Sequence, residues 1–222
     1  DSNLPINYTL KEFDGKKLHN VSQSDEAIRD DKLEKQTEKA QKEHESDIER
    51  IKKVLAEITD SALDEATVGV DGCGAPVFGM SLRGLALAMA RYGTGVGLSG
   101  PRAQAADRLY RAMVREPCMV AGTGRFGTVL GDAVGGRMFA KTGAEGVFAV
   151  GATDGAFGLG VKVEDGGKRA SAVAVLSALD ELGMLEGIES ENLDAFRNPK
   201  ITNTRGEDVG VLRADFRLDG LG

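Results

Sequence analysis

Residues 137–150, which read RMFAKTGAEGVFAV, decide the fold. Two apolar runs, at 138–140 and 147–150, flank a short segment that contains two glycines. Runs of this length with glycine between them are typical of strands joined by a tight turn. A third run at 159–163 follows another glycine-rich turn. The sequence therefore predicts three neighbouring antiparallel strands.

Helical patterns lie on both sides of these strands in the sequence. Apolar, alanine-rich segments predict helices at 82–92 and 103–115, the second ended by Pro117. A further helix is predicted at 170–182 and a closing hairpin within 201–212. No strand–helix–strand unit repeats, so we expect an α/β fold of the α+β kind. In that fold an antiparallel sheet is flanked by helices and preceded by a charged helical segment.

The composition changes sharply along the chain. Residues 1–66 hold 28 of the 63 charged residues and one glycine, whereas the rest holds the other 29 glycines. Residues 25–58 are rich in Glu, Lys, Gln and Ala, which favour helix. We therefore predict two domains, a charged, mostly helical leader or partner-binding segment at 1–63 and a glycine-rich region at 64–222.

Four apolar residues in the leader recur at helical spacing: Ile48, Ile51, Leu55 and Ile58. This stripe is shorter than two heptads. It predicts either a solvated helix with a short docking stripe or a partner-binding or oligomerising helix, for example of the coiled-coil type.

The bulk numbers exclude two classes of partner. A net charge of −7 argues against nucleic acid, because phosphate recognition depends on clustered Lys and Arg. No apolar run approaches the roughly 20 residues that span a bilayer, so no membrane partner is expected. With two cysteines and no export signal, we expect reduced thiols and a cytoplasmic protein.

Several residues in the glycine-rich part could carry chemistry. Cys73 follows a predicted strand in a tight turn, where it is a nucleophile, a metal ligand or a buried structural thiol. Cys118 is interpreted as a core residue. This part contains no His, so a catalytic base would be Lys or a carboxylate.

Lys141 and Arg125 are the candidate cations. On a strand, Lys141 places positive charge beside a substrate carboxylate or a developing oxyanion, and Gly143 lets a ligand lie along the strand edge. Arg125 lies in the segment GTGRFG, and its planar guanidinium suits a substrate carboxylate. A dinucleotide loop is disfavoured there, because the preceding strand and the later acidic residue are missing.

Three motifs carry a resemblance to a known family: VDGCGAP at 70–76, MVAGTGRF at 119–126 and AKTGAEGV at 140–147. In this order and spacing they closely resemble the bacterial type II L-asparaginase-like family of the rhizobial inducible type, over about 64–213. Lys-Thr-Gly is also a signature of β-lactamases and penicillin-binding proteins. The resemblance implies a β-lactamase/glutaminase-like fold and the hydrolysis of L-asparagine to L-aspartate and ammonia.

The resemblance also implies residue roles. Lys141 matches a lysine of the family's Ser–Lys catalytic machinery, and Cys73 matches one cysteine ligand of its zinc site. Arg125, Gly143 and Glu145 are expected near the substrate, a small-molecule amide.

Three departures from the family limit these expectations. The sequence contains no Ser-x-x-Lys motif and none of the family's other zinc ligands, and Gly127 stands where the family usually has Asp. We therefore expect an asparaginase-type site that is incomplete in this chain alone, and zinc binding only with ligands from elsewhere. We expect a second chain to complete the site, and the expected protein partners are a homo-oligomer or such a complementing chain. The alternative is a non-catalytic scaffold or interaction protein that uses the charged helix.

Overall fold

The computed structural model describes residues 11–13, 18–20, 23–63, 68–153 and 157–218. The chain divides into two compact units, Asp1–Ile51 and Lys52–Gly222. The predicted domain boundary after residue 63 lies further along the chain and stays a prediction.

The first unit contains a hairpin and most of a long helix. Strands β1 (Lys11–Phe13) and β2 (Leu18–Asn20) pair antiparallel, and α1 runs over Gln23–Thr59, continuing into the second unit. The described side chains of α1 before residue 48 are exposed. In the predicted apolar stripe, Ile51 is 47% exposed, whereas Leu55 and Ile58 are half-buried. The coiled coil stays a prediction.

The second unit is a mixed α/β structure. Its elements follow in the order β3 (Val68–Val70), β4 (Pro76–Phe78), α2 (Leu82–Thr94), α3 (Gly100–Arg115), α4 (Pro117–Ala121), α5 (Phe126–Val134), β5 (Met138–Thr142), β6 (Val147–Ala152), β7 (Phe157–Lys162), α6 (Lys168–Glu181), α7 (Glu191–Asp194), β8 (Lys200–Thr202) and β9 (Asp208–Val211). The three predicted strands are confirmed and pair in the order β5–β6–β7, all antiparallel. The predicted helices are confirmed as α2, α3 and α6, and the closing hairpin as β8–β9.

One face of the β5–β6–β7 sheet packs against α2 and α3. Because side chains alternate along a strand, Phe139 and Lys141 of β5 share this face. The Phe139 ring lies 5.1 Å from that of Tyr92 on α2 and 5.5 Å from that of Tyr110 on α3. We call this side of the sheet the α2 face.

The opposite face carries the main hydrophobic core. Met138 and Ala140 of β5 join Leu130 of α5 and Leu176 and Leu179 of α6, all of them buried. We call this side the α6 face. The sheet therefore lies between two helical layers, which agrees with the predicted sheet flanked by helices.

Glycines let α2 lie directly on strand β7. A β-carbon placed on Gly158 would overlap the backbone oxygen of Ala86, and one placed on Gly160 would lie 3.1 Å from the backbone oxygen of Leu82. A side chain at Gly158 would therefore push the helix away from the sheet. This close approach accounts for two of the glycines in this part of the chain.

The last turns of α1 belong to the second unit. Arg91 of α2 donates to the backbone oxygen of Glu57 at 2.7 Å, and Arg102 of α3 pairs with the Glu57 carboxylate at 2.8 Å. Thr59 and Leu63 are buried. Charged residues at the end of the predicted leader are thus packed into the glycine-rich unit.

None of the helices that the structure describes has the length and apolarity to cross a bilayer.

Candidate functional site

Lys141 shares one row of the sheet with the beginning of α2. The strand register aligns Lys141 with Ala149 of β6 and Gly160 of β7. Helix α2 begins over Gly160, because a β-carbon placed on Gly160 would lie close to the backbone oxygen of Leu82 in the first turn of the helix. Lys141 and the first turn of α2 therefore lie on the same face of the sheet, and two strand spacings, about 10 Å, separate Lys141 from Gly160. The Lys141 ammonium is exposed and donates to the Thr142 backbone oxygen at 3.1 Å.

Cys73 lies at the tip of the β3–β4 hairpin, which residues 79–81 connect to α2. One carboxylate oxygen of Asp71 accepts from the Cys73 thiol at 2.9 Å, the Cys73 N–H at 2.9 Å and the Ala75 N–H at 3.1 Å. These hydrogen bonds, that of the thiol first, lower the pKa of Asp71. The Cys73 side chain is exposed, so the interpretation as a buried structural thiol is wrong.

Gly143 and Glu145 form the turn between β5 and β6. Gly143 donates its N–H to Val147 at 2.8 Å, and a β-carbon placed on Gly143 would lie 3.0 Å from that of Val147. Glu145 has a φ of +50°, a left-handed conformation that is uncommon for a residue other than glycine. Local packing thus favours a small residue at Gly143, in addition to the ligand approach predicted from sequence.

Arg125 lies on the other side of the sheet from Lys141. It precedes α5 and lines a cavity of about 820 Å³ together with Thr142 and Phe148. Thr142 and Phe148 face α6, because they alternate with the α2-face residues on their strands. The structure therefore brings Arg125 and Thr142 together, whereas neither Lys141 nor Cys73 lines this cavity.

Gly127 occupies a confined position. A β-carbon placed there would lie 2.9 Å from the β-carbon of Ala121. An acidic side chain, which the family usually has at this point, would require the α4 segment to shift.

Cys118 is exposed, so its interpretation as a core residue is wrong. It lies on the short helix α4, whose neighbouring Met119 is 84% exposed, and its sulfur lies 3.4 Å from the Thr123 hydroxyl oxygen. The apolar character of this segment suggested burial, but a five-residue helix at the surface leaves most of it uncovered.

Sequence reasoning missed a cluster of cations around the cavity. Lys168 and Arg169 at the start of α6, and Lys200 of β8, line it with Arg125. In the sequence, only the adjacent pair Lys168-Arg169 indicates part of this cluster. Lys200 is distant in sequence, and only the fold brings it to the cavity.

The residues that the structure describes do not form a zinc site by themselves. No three His, Cys, Asp or Glu side chains among them come together. Asp71 and Cys73 offer two donor atoms, whereas a closed zinc site needs four.

Comparison with known proteins now identifies the family. The chain matches the family model Asparaginase_II, described as L-asparaginase II, over residues 32–214. The match covers most of the 222 residues, and the chain belongs to the L-asparaginase II family. The matched range begins inside α1. The resemblance carried by the motifs begins later in the chain, at about residue 64. No curated protein matches the chain. Membership supports an asparaginase-like, hydrolytic function in general.

Proposed function

We propose that this chain forms part of an asparaginase-type amidohydrolase that converts L-asparagine to L-aspartate and ammonia. The reacting site would lie on the α2 face of the sheet, around Lys141. The family match carries this proposal. The position of Lys141 supports it, because β5 is an edge strand of the described sheet and leaves backbone groups available to a substrate.

Two positive groups on the α2 face suit amide hydrolysis. The Lys141 ammonium and the N-terminal end of α2, with its positive dipole end, would both favour negative charge on the oxygen of a tetrahedral intermediate. In the proposed reaction a serine activated by a lysine attacks the side-chain amide carbon. Ammonia leaves, and water hydrolyses the acyl-enzyme to aspartate. The sequence lacks Ser-x-x-Lys, so the serine would come from a complementing chain.

The hairpin that carries Cys73 has the reach to join this site. Its three-residue strands are about 10 Å long, which equals the two strand spacings between Gly160 and Lys141. A hairpin attached at the start of α2 and directed across the sheet would bring Cys73 to Lys141. There Cys73 would be one zinc ligand only if another chain supplied the remaining ligands.

Gly143 and Glu145 follow Lys141 directly, and we propose that they border the substrate at the end of β5. Arg125 is left out of this proposed site, because it lines the cavity on the α6 face.

Exposed apolar side chains near the hairpin support a complementing chain. Val68 is 54% exposed, Val70 is 76% exposed and Leu82, at the start of α2, is 47% exposed. Clustered apolar surface of this kind marks interaction sites. The complementing chain would be a separate polypeptide that packs here, because a second copy of this chain would also lack Ser-x-x-Lys.

Ammonia release from L-asparagine tests the proposal. The chain alone should give no more than background. Addition of the N-terminal part of a family member that carries Ser-x-x-Lys should give turnover. In that mixture Lys141→Met should lower kcat/KM roughly 10²-fold or more, the scale expected for losing one oxyanion-stabilising group.

The matched control is Lys53→Met on α1. Lys53 is an exposed lysine in the same compact unit, and its substitution should leave kcat/KM unchanged. Robust turnover by the 222 residues alone would show that the site is complete without a second chain. Equal turnover of the Lys141→Met variant and the wild type would remove Lys141 from the mechanism.

A further inference from the structure

The cavity on the α6 face has the size and walls of a small-molecule site. Its volume of about 820 Å³ falls within the roughly 300–1,000 Å³ of typical ligand pockets. Three aromatic rings form one wall. Phe126 lies 5.1 Å from Phe148 and 5.3 Å from Phe196, measured between ring centroids. This wall offers an apolar surface to a ligand.

The lining of the cavity is basic and contains no acidic residue. Arg125, Lys168, Arg169 and Lys200 all line it, in a chain whose net charge is −7. Arg169 pairs with Asp165 at 2.8 Å and Lys200 pairs with Asp208 at 2.5 Å. Among the described residues, neither Arg125 nor Lys168 has an acidic ion-pair partner. These two therefore leave net positive charge at the cavity.

Two helices also begin at the cavity. Arg125 and Gly167 are the N-cap residues of α5 and α6, and neither makes a side-chain capping hydrogen bond. The first-turn N–H groups of both helices and their positive dipole ends add to the field of Arg125 and Lys168. Cations from three elements and two helix N-termini thus surround one apolar cavity.

We propose that this cavity binds a small organic anion with an apolar body, that is, an alkyl or aryl monocarboxylate. The carboxylate would lie between Arg125 and Lys168, which donate charge-assisted hydrogen bonds, and the apolar body against the three phenylalanine rings. This site is separate from the proposed amide site, which lies on the opposite face of the sheet. L-asparagine is small and polar and offers nothing to the aromatic wall.

Isothermal titration calorimetry with decanoate tests the proposal. Decanoate should bind, whereas decanol and decyltrimethylammonium, which share its chain but not its charge, should bind at least tenfold more weakly. Arg125→Gln and Lys168→Gln should each weaken decanoate binding roughly tenfold, the effect of losing one charge-assisted hydrogen bond. Both side chains are exposed, so the variants should keep the wild-type melting temperature.

The matched control is Arg115→Gln at the end of α3, an exposed arginine that does not line the cavity. It should leave decanoate affinity unchanged. Ala172→Trp, which fills the cavity without altering its charge, should abolish binding. Excess L-asparagine should not displace decanoate.

Four results would overturn the proposal. The first is an absence of decanoate binding at millimolar concentration. The second is equal affinity for the three amphiphiles, which would show that the cavity binds any apolar segment, including a peptide of a partner protein. The third is equal effects of Arg115→Gln and Arg125→Gln. The fourth is displacement by L-asparagine, which would make this the amide site. None of these readouts depends on ammonia release, so failure of the proposed amidohydrolase would leave them unaffected.

Discussion

Asp71 and Cys73 show how a residue gains its properties from its turn. Asp71 accepts three hydrogen bonds through one carboxylate oxygen, and two of them come from Cys73. The sequence predicted a tight turn after a strand and placed the thiol in it. It did not predict that the neighbouring carboxylate would accept from both the thiol and backbone N–H groups, because that depends on side-chain rotamers fixed by the folded loop.

The pKa of Asp71 should respond to Cys73. The hydrogen bond from the Cys73 thiol is the largest cause of the lowered Asp71 pKa. Cys73→Ala should therefore raise the Asp71 pKa toward its ordinary value of about 3.9. Some lowering should persist through backbone donors. Carboxyl-carbon NMR titration measures this, with Cys118→Ala as the matched control. An unchanged Asp71 pKa in Cys73→Ala would refute the thiol contact.

The sign of the pH dependence follows from the same contact. Because the folded-state pKa of Asp71 is lowered, its ionised form favours the folded turn at pH values above the unfolded pKa. This contribution is lost as the pH falls through the folded-state pKa. Exchange of the Cys73 and Ala75 amide protons, corrected for the intrinsic pH effect, should then accelerate.

Both thiols should react without denaturant. Cys73 and Cys118 are exposed, so a thiol reagent should modify two groups per native chain. Peptide mass spectrometry before and after unfolding measures this. Protection of Cys118 until unfolding would restore its interpretation as a core residue.

At the scale of elements, apolar segments bounded by glycine or proline predicted the main strands and helices. Strands β5, β6 and β7 follow from short apolar runs between glycines, and α2 and α3 from apolar, alanine-rich segments. The contact between α2 and β7 could not be predicted, since glycines at alternate strand positions also fit turns. The face of the sheet on which Arg125 lies depends on how α5 packs against the sheet, and no local sequence pattern predicts that packing.

Gly158→Val should destabilise the second unit strongly. The new side chain would overlap the Ala86 backbone, so α2 must move away from β7. We expect a loss of roughly 1–3 kcal/mol or more in the free energy of unfolding, as for overpacked cores. Urea denaturation measures it. Gly69→Val in β3, where a β-carbon meets nothing within 4 Å, is the matched control and should change little. Equal stability of the two variants would argue against the close approach of α2.

At the scale of the whole molecule, the composition break and the division into compact units do not coincide. The glycine content rises after about residue 66, yet the second unit begins at Lys52. Composition cannot locate this boundary, because the last turns of α1 remain rich in charge while Glu57 contacts α2 through its backbone oxygen and α3 through its carboxylate. Similarly, the motifs predicted the family but not the separation of Lys141 and Arg125 by the sheet.

Two truncations distinguish these boundaries. A chain of residues 52–222 should unfold cooperatively near the wild-type melting temperature of the second unit. A chain of residues 64–222 lacks the buried Thr59 and Leu63 and the Glu57 partner of Arg102, so it should melt at lower temperature. Thermal unfolding followed by circular dichroism measures both. Equal melting temperatures would place the boundary after residue 63, as the composition predicts.

The central claim is that Cys73 and Lys141 face a common site on the α2 face. An amine-to-thiol cross-linker with a spacer of about 10 Å, two strand spacings long, tests it in the Cys118→Ser background. The account predicts a Cys73–Lys141 link as the main product in peptide mass spectrometry. Links from Cys73 only to lysines other than Lys141 would contradict it.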